Sequence, residues 1–187
     1  MNYINYLSSI ISNGGYLLGF FIIILESFIP ILPLNFFVAL NVNSFGLIIG
    51  FIISWLATCI GSIISFFFFR LLFNNFFITS NCNLFNYYKK LSIKLSNISF
   101  SNLVLIIALP FSPSFLINIL CAFSKIKYFK FILSILIGKM FMVIFWSIIG
   151  DSFINSIKDI RVIVFISFLL VLAYIISKYI GSKFELN

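Results

Sequence analysis

Long runs of apolar residues, cut by prolines and by one polar stretch, organise this chain. Residues 46–69 carry no charge over 24 positions, longer than the roughly 20 residues an apolar helix needs to cross the hydrocarbon core. Residues 131–150 make a second such run, interrupted only by Lys139, and residues 162–177 with their flanks make a third. Two further apolar stretches, 16–41 and 101–123, each hold a Pro-x-x-Pro: Pro30-Ile-Leu-Pro33 and Pro110-Phe-Ser-Pro113. Proline removes a backbone donor and clashes with the preceding turn. Each pair therefore predicts a turn between two half-helices, 16–28 with 34–41 and 101–109 with 114–123. A half-helix of about 10 residues rises roughly 15 Å, half the hydrocarbon thickness. It can dip to the midplane and return as a re-entrant hairpin; the plain alternative is a kinked span.

Charge placement decides between the two. If every long stretch spans, Arg70, Lys89, Lys90, Lys94, Lys158 and Arg161 face Lys125, Lys127, Lys130, Lys178 and Lys183, with no bias. If 101–123 enters and leaves on one side, only Lys158 and Arg161 stand against all the others. That asymmetry is what the positive-inside rule expects. The basic side is then the cytoplasm. The predicted fold is an all-α integral membrane protein of two inverted units, each a re-entrant hairpin plus a transmembrane helix (16–73 and 101–150). A final span over 161–180 leaves the C-terminus cytoplasmic. Inverted units of broken helices are a common way to build a midplane site in transporters.

Between the units lies "NLFNYYKKLSIKLSNISF", residues 83–100. Leu84, Tyr87, Tyr88, Leu91, Leu95 and Ile98 recur at helical spacing among Lys89, Lys90 and Lys94. This predicts a basic amphipathic helix in the cytoplasmic interface. Residues 3–12 read either as a surface helix or as part of a frayed span. Gly46, Gly50 and Gly61 with Ser54, Ala57 and Ser65 give a small-residue face for close helix packing.

Composition narrows the class. The chain of 187 residues is 63% hydrophobic and 9% charged, against about a quarter charged in a soluble domain. No signal peptide is evident, so the first apolar segment is expected to be retained. The Phe, Ile, Asn, Lys and Ser bias points to AT-rich coding and a bacterial inner membrane. The net charge of +8 is explained by loops beside anionic lipid rather than by nucleic acid. There is no histidine, and Cys59, Cys82 and Cys121 stand far apart, so neither a disulfide framework nor a metal-ligand pair is read; no cofactor is expected. With no Gly-x-Ser-x-Gly elbow and four acids in all, an intramembrane enzyme is disfavoured.

Two charges lie within the apolar runs. Glu26 and Lys139 each sit about ten residues into a stretch, near the midplane, where an isolated charge costs at least ~3 kcal/mol. Opposite signs at one depth invite pairing. That pair reads either as structural or as functional, with Glu26 exchanging a proton or Lys139 meeting a lipid phosphate. Arg70 closes its span by snorkelling to the headgroups or by meeting an anionic one. Asp151 mirrors it as a helix-end cap or a way in for protons. Asn35, Asn118, Ser112 and Ser114 stand where they can satisfy backbone groups freed by Pro30, Pro33, Pro110 and Pro113, or offer a headgroup a polar path.

The carboxylate ahead of a proline-bearing hairpin (Glu26, Pro30, Pro33), "FGLIIGFIISWLATCIGSIISFFFFR" (45–70) and "PFSPSFLINILCAF" (110–123), followed by Phe129, Gly138 and Gly150, together resemble the DedA-like, VTT-domain family, also called SNARE-associated Golgi proteins. The likeness covers about 16–150. It implies two opposed re-entrant hairpins and a role in moving phospholipids or polyprenyl-phosphate carriers across the bilayer. Where the family pattern carries an arginine before the second Pro-x-x-Pro, this chain reads Ile107-Ala108-Leu109-Pro110. A non-catalytic membrane organiser acting through 83–100 is the competing class. Membrane lipids with anionic headgroups are the expected partners, and a homo-oligomer is compatible with the sequence.

Overall fold

A computed structural model describes the backbone of residues 2–29, 34–76, 96–110, 112–124 and 126–156, with Val171 and Ile175. Among these residues the fold is all-helical: α1 (Asn2–Glu26), α2 (Leu34–Phe45), α3 (Leu47–Phe76), α4 (Phe100–Ala108), α5 (Ser114–Phe123) and α6 (Tyr128–Ser156). The final span expected over 161–180 lies outside the described residues apart from Val171 and Ile175, which are helical and exposed.

The breaks fall where the sequence places them. α1 ends at Glu26 and its last turn tightens through Ser27, Phe28 and Ile29. α2 resumes at Leu34, beyond Pro30 and Pro33, which lie outside the described residues. α4 ends at Ala108 and α5 begins at Ser114, with Ser112 closing the interval through its amide and hydroxyl, both donating to the Leu109 carbonyl. Residues 3–12 prove helical, within an α1 that bends at Gly15 (φ 68°), a left-handed conformation that costs glycine nothing.

Two expectations need correcting. Gly46 is no part of the small-residue face. It is the positive-φ joint (φ 82°) between α2 and α3, so α2 runs on to Phe45 rather than ending near 41. The expected surface helix 83–100 lies outside the described residues as far as 95. Beyond it, Ser96 is helical, Asn97 turns, and Ile98 and Ser99 are irregular. The reason is local: the Ser99 hydroxyl accepts the Asn102 amide at 3.3 Å and caps a new helix, α4, as N-terminal serines do.

α3 and α6 contain stretches long and apolar enough to cross a membrane, Leu47–Leu72 and Tyr128–Gly150. As far as Ser65 the buried face of α3 is small or polar, with Gly50, Ser54, Ala57, Thr58, Gly61, Ser62 and Ser65, before Phe66 fills one core, while Ile48, Ile52, Leu56, Ile60, Ile64 and Phe68 point outward. A water-soluble helix does the reverse. Bulk faces out where the solvent is hydrocarbon, and small residues face in where backbones approach. At Gly50 the approach is backbone to backbone. A Cβ there would stand 2.6 Å from Val42 Cα.

α3 and α6 pack against each other, antiparallel, and divide the interior into two cores. One joins the start of α3 and the end of α6 to α1 and α2, through Ile23, Val38, Val42, Ala57, Met142, Val143 and Trp146. The other joins the end of α3 and the start of α6 to α4 and α5, through Phe66, Leu103, Ile107, Cys121, Phe131 and Ile135. Phe66 and Phe131 stack at 4.1 Å. Two of the pairings exchange under a swap of the two units, although α2 also packs closely on α1 and α3, and α5 has no equally close contact with α4 or α6. α1 packs on α3 as α4 does on α6, and α2 crosses to α6 as α5 crosses to α3.

Candidate functional site

Residues that flank both helix breaks line one cavity of about 360 Å³. Its walls come from the end of α1 (Glu26), the start of α2 (Leu34, Asn35), the α4–α5 interval (Pro110, Ser112, Pro113), the first turn of α5 (Ser114, Phe115, Leu116), and Met142 and Trp146 of α6. The Trp146 indole donates to the Pro110 carbonyl at 3.3 Å. That carbonyl is one of the groups released by the break, and it finds its donor on another helix.

Glu26 is 7% exposed and its Oε2 has no hydrogen-bond partner. Lys139 is 2% exposed, and its amine donates to Ser114 Oγ and approaches Met142 Sδ at 3.8 Å. The acid and the amine are close enough for their charges to attract, and the amine also donates to the first residue of α5. Ser114 faces the cavity on one side and receives the lysine on the other, so it couples them. Asn118, one turn further along α5, is 1% exposed, and neither its Oδ1 nor its Nδ2 has a partner. It lines a narrow gap with Ser112, Ser114 and Lys139.

Asn35, also in the cavity wall, is exposed at the start of α2, where its Oδ1 accepts the Phe36 amide at 3.0 Å. Arg70 stands away from the cavity. Its guanidinium donates to the Ser124 carbonyl at 3.0 Å and to the Ile126 carbonyl at 3.3 Å, and lies 4.5 Å from the Tyr128 ring centroid. This geometry clamps the end of α5, a use of the planar fork that lysine cannot copy. Asp151 continues α6, and its side chain lies outside the described residues.

Sequence reasoning passed over Trp146, Met142 and Asn41. The signal for Trp146 was available: a buried indole needs an acceptor, and a proline break supplies free carbonyls. Asn41 holds α2 to its neighbours through Ser54 Oγ at 3.1 Å and the Gly19 carbonyl at 3.4 Å; only the assembled helices reveal it.

Residues 29–152 match the VTT domain. The chain belongs to the VTT-domain family. The matched region runs from just beyond Glu26 to near the end of α6, and so contains both breaks and most of the cavity wall. Among curated relatives, the uncharacterized membrane protein YhjE of Bacillus subtilis (strain 168) is 33% identical over 175 residues, covering 91% of this chain and 80% of YhjE. The uncharacterized protein YqeD of the same strain is 24% identical over 162 residues, 87% of this chain and 77% of YqeD. No solved structure matches the chain. Family membership and the outward apolar bulk make this VTT-domain chain a membrane protein.

Proposed function

We propose that this VTT-domain chain moves lipids across the bacterial inner membrane, as a phospholipid or polyprenyl-phosphate transporter or scramblase. It does so without acting as an enzyme. The observation that carries the reading is the cavity of about 360 Å³ lined by residues that flank two helix breaks, with a buried carboxylate in its wall, one oxygen of which has no hydrogen-bond partner. Irregular backbone at membrane depth persists where protein or water satisfies it, and a cavity at that place offers a headgroup a polar route while its tails stay in hydrocarbon.

In this reading the two helix–break–helix units are re-entrant and enter from opposite faces. The two cores at opposite ends of the antiparallel α3–α6 pair support this, as does the crowding of lysine and arginine on one side of the topology. The C-terminus then lies in the cytoplasm, and basic residues on that face meet anionic headgroups. Glu26 serves the cycle by taking and releasing a proton, and Lys139 by meeting the lipid phosphate.

The test is a flip assay with purified full-length protein in liposomes holding tail-labelled phospholipid or polyprenyl phosphate. Protein-dependent loss of leaflet asymmetry is expected. Glu26→Gln and Lys139→Ala should abolish it with membrane insertion intact. Full activity in both variants, or none in the wild type with any of these lipids, would overturn the reading.

A further inference from the structure

Asn118 stands in the middle of α5, 1% exposed, with neither Oδ1 nor Nδ2 hydrogen-bonded. A buried amide left unpaired is costly, and native folds rarely leave one without a use. Its surroundings restrict what can pair with it. Asn118 lines a narrow gap with Ile107 of α4, Ser112 and Ser114 at the second break, and Ile135 and Lys139 of α6. The gap has no room for a water molecule, which excludes the usual bridge. Of the polar groups in the lining, the Ser112 hydroxyl already donates to the Leu109 carbonyl. Lys139 and Ser114 remain.

The Lys139 ammonium carries three hydrogens. Ser114 Oγ takes one, and Met142 Sδ, a weak acceptor, stands 3.8 Å from the nitrogen. Among the described residues no hydrogen bond accounts for the third. Ser114 and Asn118 are four positions apart on α5, so they share a face with about 6 Å between them. The flexible four-carbon stem of lysine spans that step by rotation. The packing of α5 leaves the face open to it. Among the described helices the α5 backbone packs closely on α3 alone, and Arg70 pins its far end through the Ser124 carbonyl. Toward α4 and α6 it meets side chains, Ile107 and Ile135 among them.

We infer that Asn118 is a second seat for the Lys139 ammonium. In the arrangement seen here Lys139 donates to Ser114, which lines the cavity. In the other, Lys139 donates to Asn118 Oδ1 while Asn118 Nδ2 donates to Ser114 Oγ, and all three side chains are paired. The exchange draws a positive charge one helical turn along α5, from a residue in the cavity wall to one outside it. Asn118 is thus a positioning residue, which sets where the charge of Lys139 stands. The exchange needs no lipid and does not rest on the transport reading.

A mutant cycle on the purified full-length protein tests it. Unfolding in mixed micelles is titrated with a denaturing detergent and followed by tryptophan fluorescence. Ser114→Ala removes the acceptor seen here. With Asn118 present the ammonium moves to Oδ1, so the folding constant should fall less than about threefold. With Asn118→Leu in place the ammonium is stranded, and the same Ser114→Ala should lower the constant about thirtyfold or more. Adding Lys139→Met should abolish or invert this redundancy, because only the ammonium uses the two acceptors in turn. A direct Ser114–Asn118 bond alone would make Ser114→Ala costlier with Asn118 present, not cheaper. An equal cost of Ser114→Ala with and without Asn118 overturns the inference, and so does a redundancy that survives the loss of Lys139. A redundancy found with Glu26→Gln in place of Asn118→Leu, and absent with Asn118→Leu, seats the ammonium on the acid and also overturns it.

A second readout decides the matter if Ser114→Ala/Asn118→Leu does not fold. In protein isotope-labelled at asparagine nitrogen, the Asn118 side-chain resonance is the one lost in Asn118→Leu. Introducing Lys139→Met should shift it more in the Ser114→Ala background, where the ammonium sits on Asn118, than in the otherwise unaltered protein. An equal or smaller shift in that background overturns the second seat.

Discussion

Gly50→Ala is the substitution whose cost follows most directly from the structure. The added Cβ would meet Val42 Cα at 2.6 Å and the Asn41 carbonyl oxygen and Val42 amide nitrogen at 2.7 Å. All three are backbone atoms of α2, so no rotamer change relieves the clash. Restoring ordinary contact requires α2 and α3 to part by about 0.8 Å. Overpacking of this kind costs up to about 3 kcal/mol. The same movement stretches the buried Asn41–Ser54 hydrogen bond, now 3.1 Å, for about 1 kcal/mol more. Alanine's better helix propensity returns about 1 kcal/mol. The net is a loss of about 3 kcal/mol, roughly a hundredfold in the ratio of folded to unfolded protein. Unfolding in mixed micelles on titration with a denaturing detergent, followed by tryptophan fluorescence, measures it. Gly46→Ala is the control: a Cβ there meets nothing within 4 Å, and only the φ of 82° penalises it, by about 1–2 kcal/mol. Adding Val42→Ala should not rescue Gly50→Ala, because the obstruction is main chain. An unchanged unfolding midpoint for Gly50→Ala, or rescue by Val42→Ala, would refute the reasoning.

Other expectations follow from single contacts. Trp146→Phe removes the donor to the Pro110 carbonyl and should cost about 1–3 kcal/mol, with flip activity in liposomes falling further than stability; activity that merely tracks stability would contradict a role in shaping the cavity. Arg70→Lys keeps the charge but loses the fork across the Ser124 and Ile126 carbonyls, and should speed proteolytic cleavage after residue 124 in detergent; an unchanged cleavage rate would argue against the clamp. Lys139→Met leaves Glu26 buried without its neighbouring cation, and the double variant Lys139→Met/Glu26→Gln should be more stable than Lys139→Met alone by about 1 kcal/mol or more. Equal unfolding midpoints would show that the two charges do not act on each other.

Much of the helical layout was legible in advance. α3 and α6 announce themselves because an uncharged run longer than a bilayer is thick admits few other structures. The breaks before α2 and α5 follow from paired prolines. Ser112 and Ser114 were placed at the second break from the sequence, and both line the cavity. Depth along each stretch brought Glu26 and Lys139 into the same region, yet it could not choose the lysine's partner. A flexible four-carbon side chain reaches whichever acceptor the packing presents, and here that is a serine 25 positions earlier in the chain. Arg70 illustrates the same limit. Its place at the end of an apolar run suggests the headgroups, but the turn after α5 folds back and offers two carbonyls first.

The sequence alone determined that this chain lives in a membrane, that it is helical, and where its helices break. Those properties depend on local chemistry: the length of apolar runs and missing amide donors at proline. Tertiary structure decided that the flanks of the two breaks share one cavity, that Trp146 satisfies the carbonyl at one of them, and that Ser114 both lines that cavity and accepts from Lys139. These depend on how closely α2 approaches α3 and α6, at Gly50 and at Gly150, where a Cβ would come within 2.7 Å of Ala39. Contacts between residues dozens of positions apart are set by helix packing, and no local pattern encodes them.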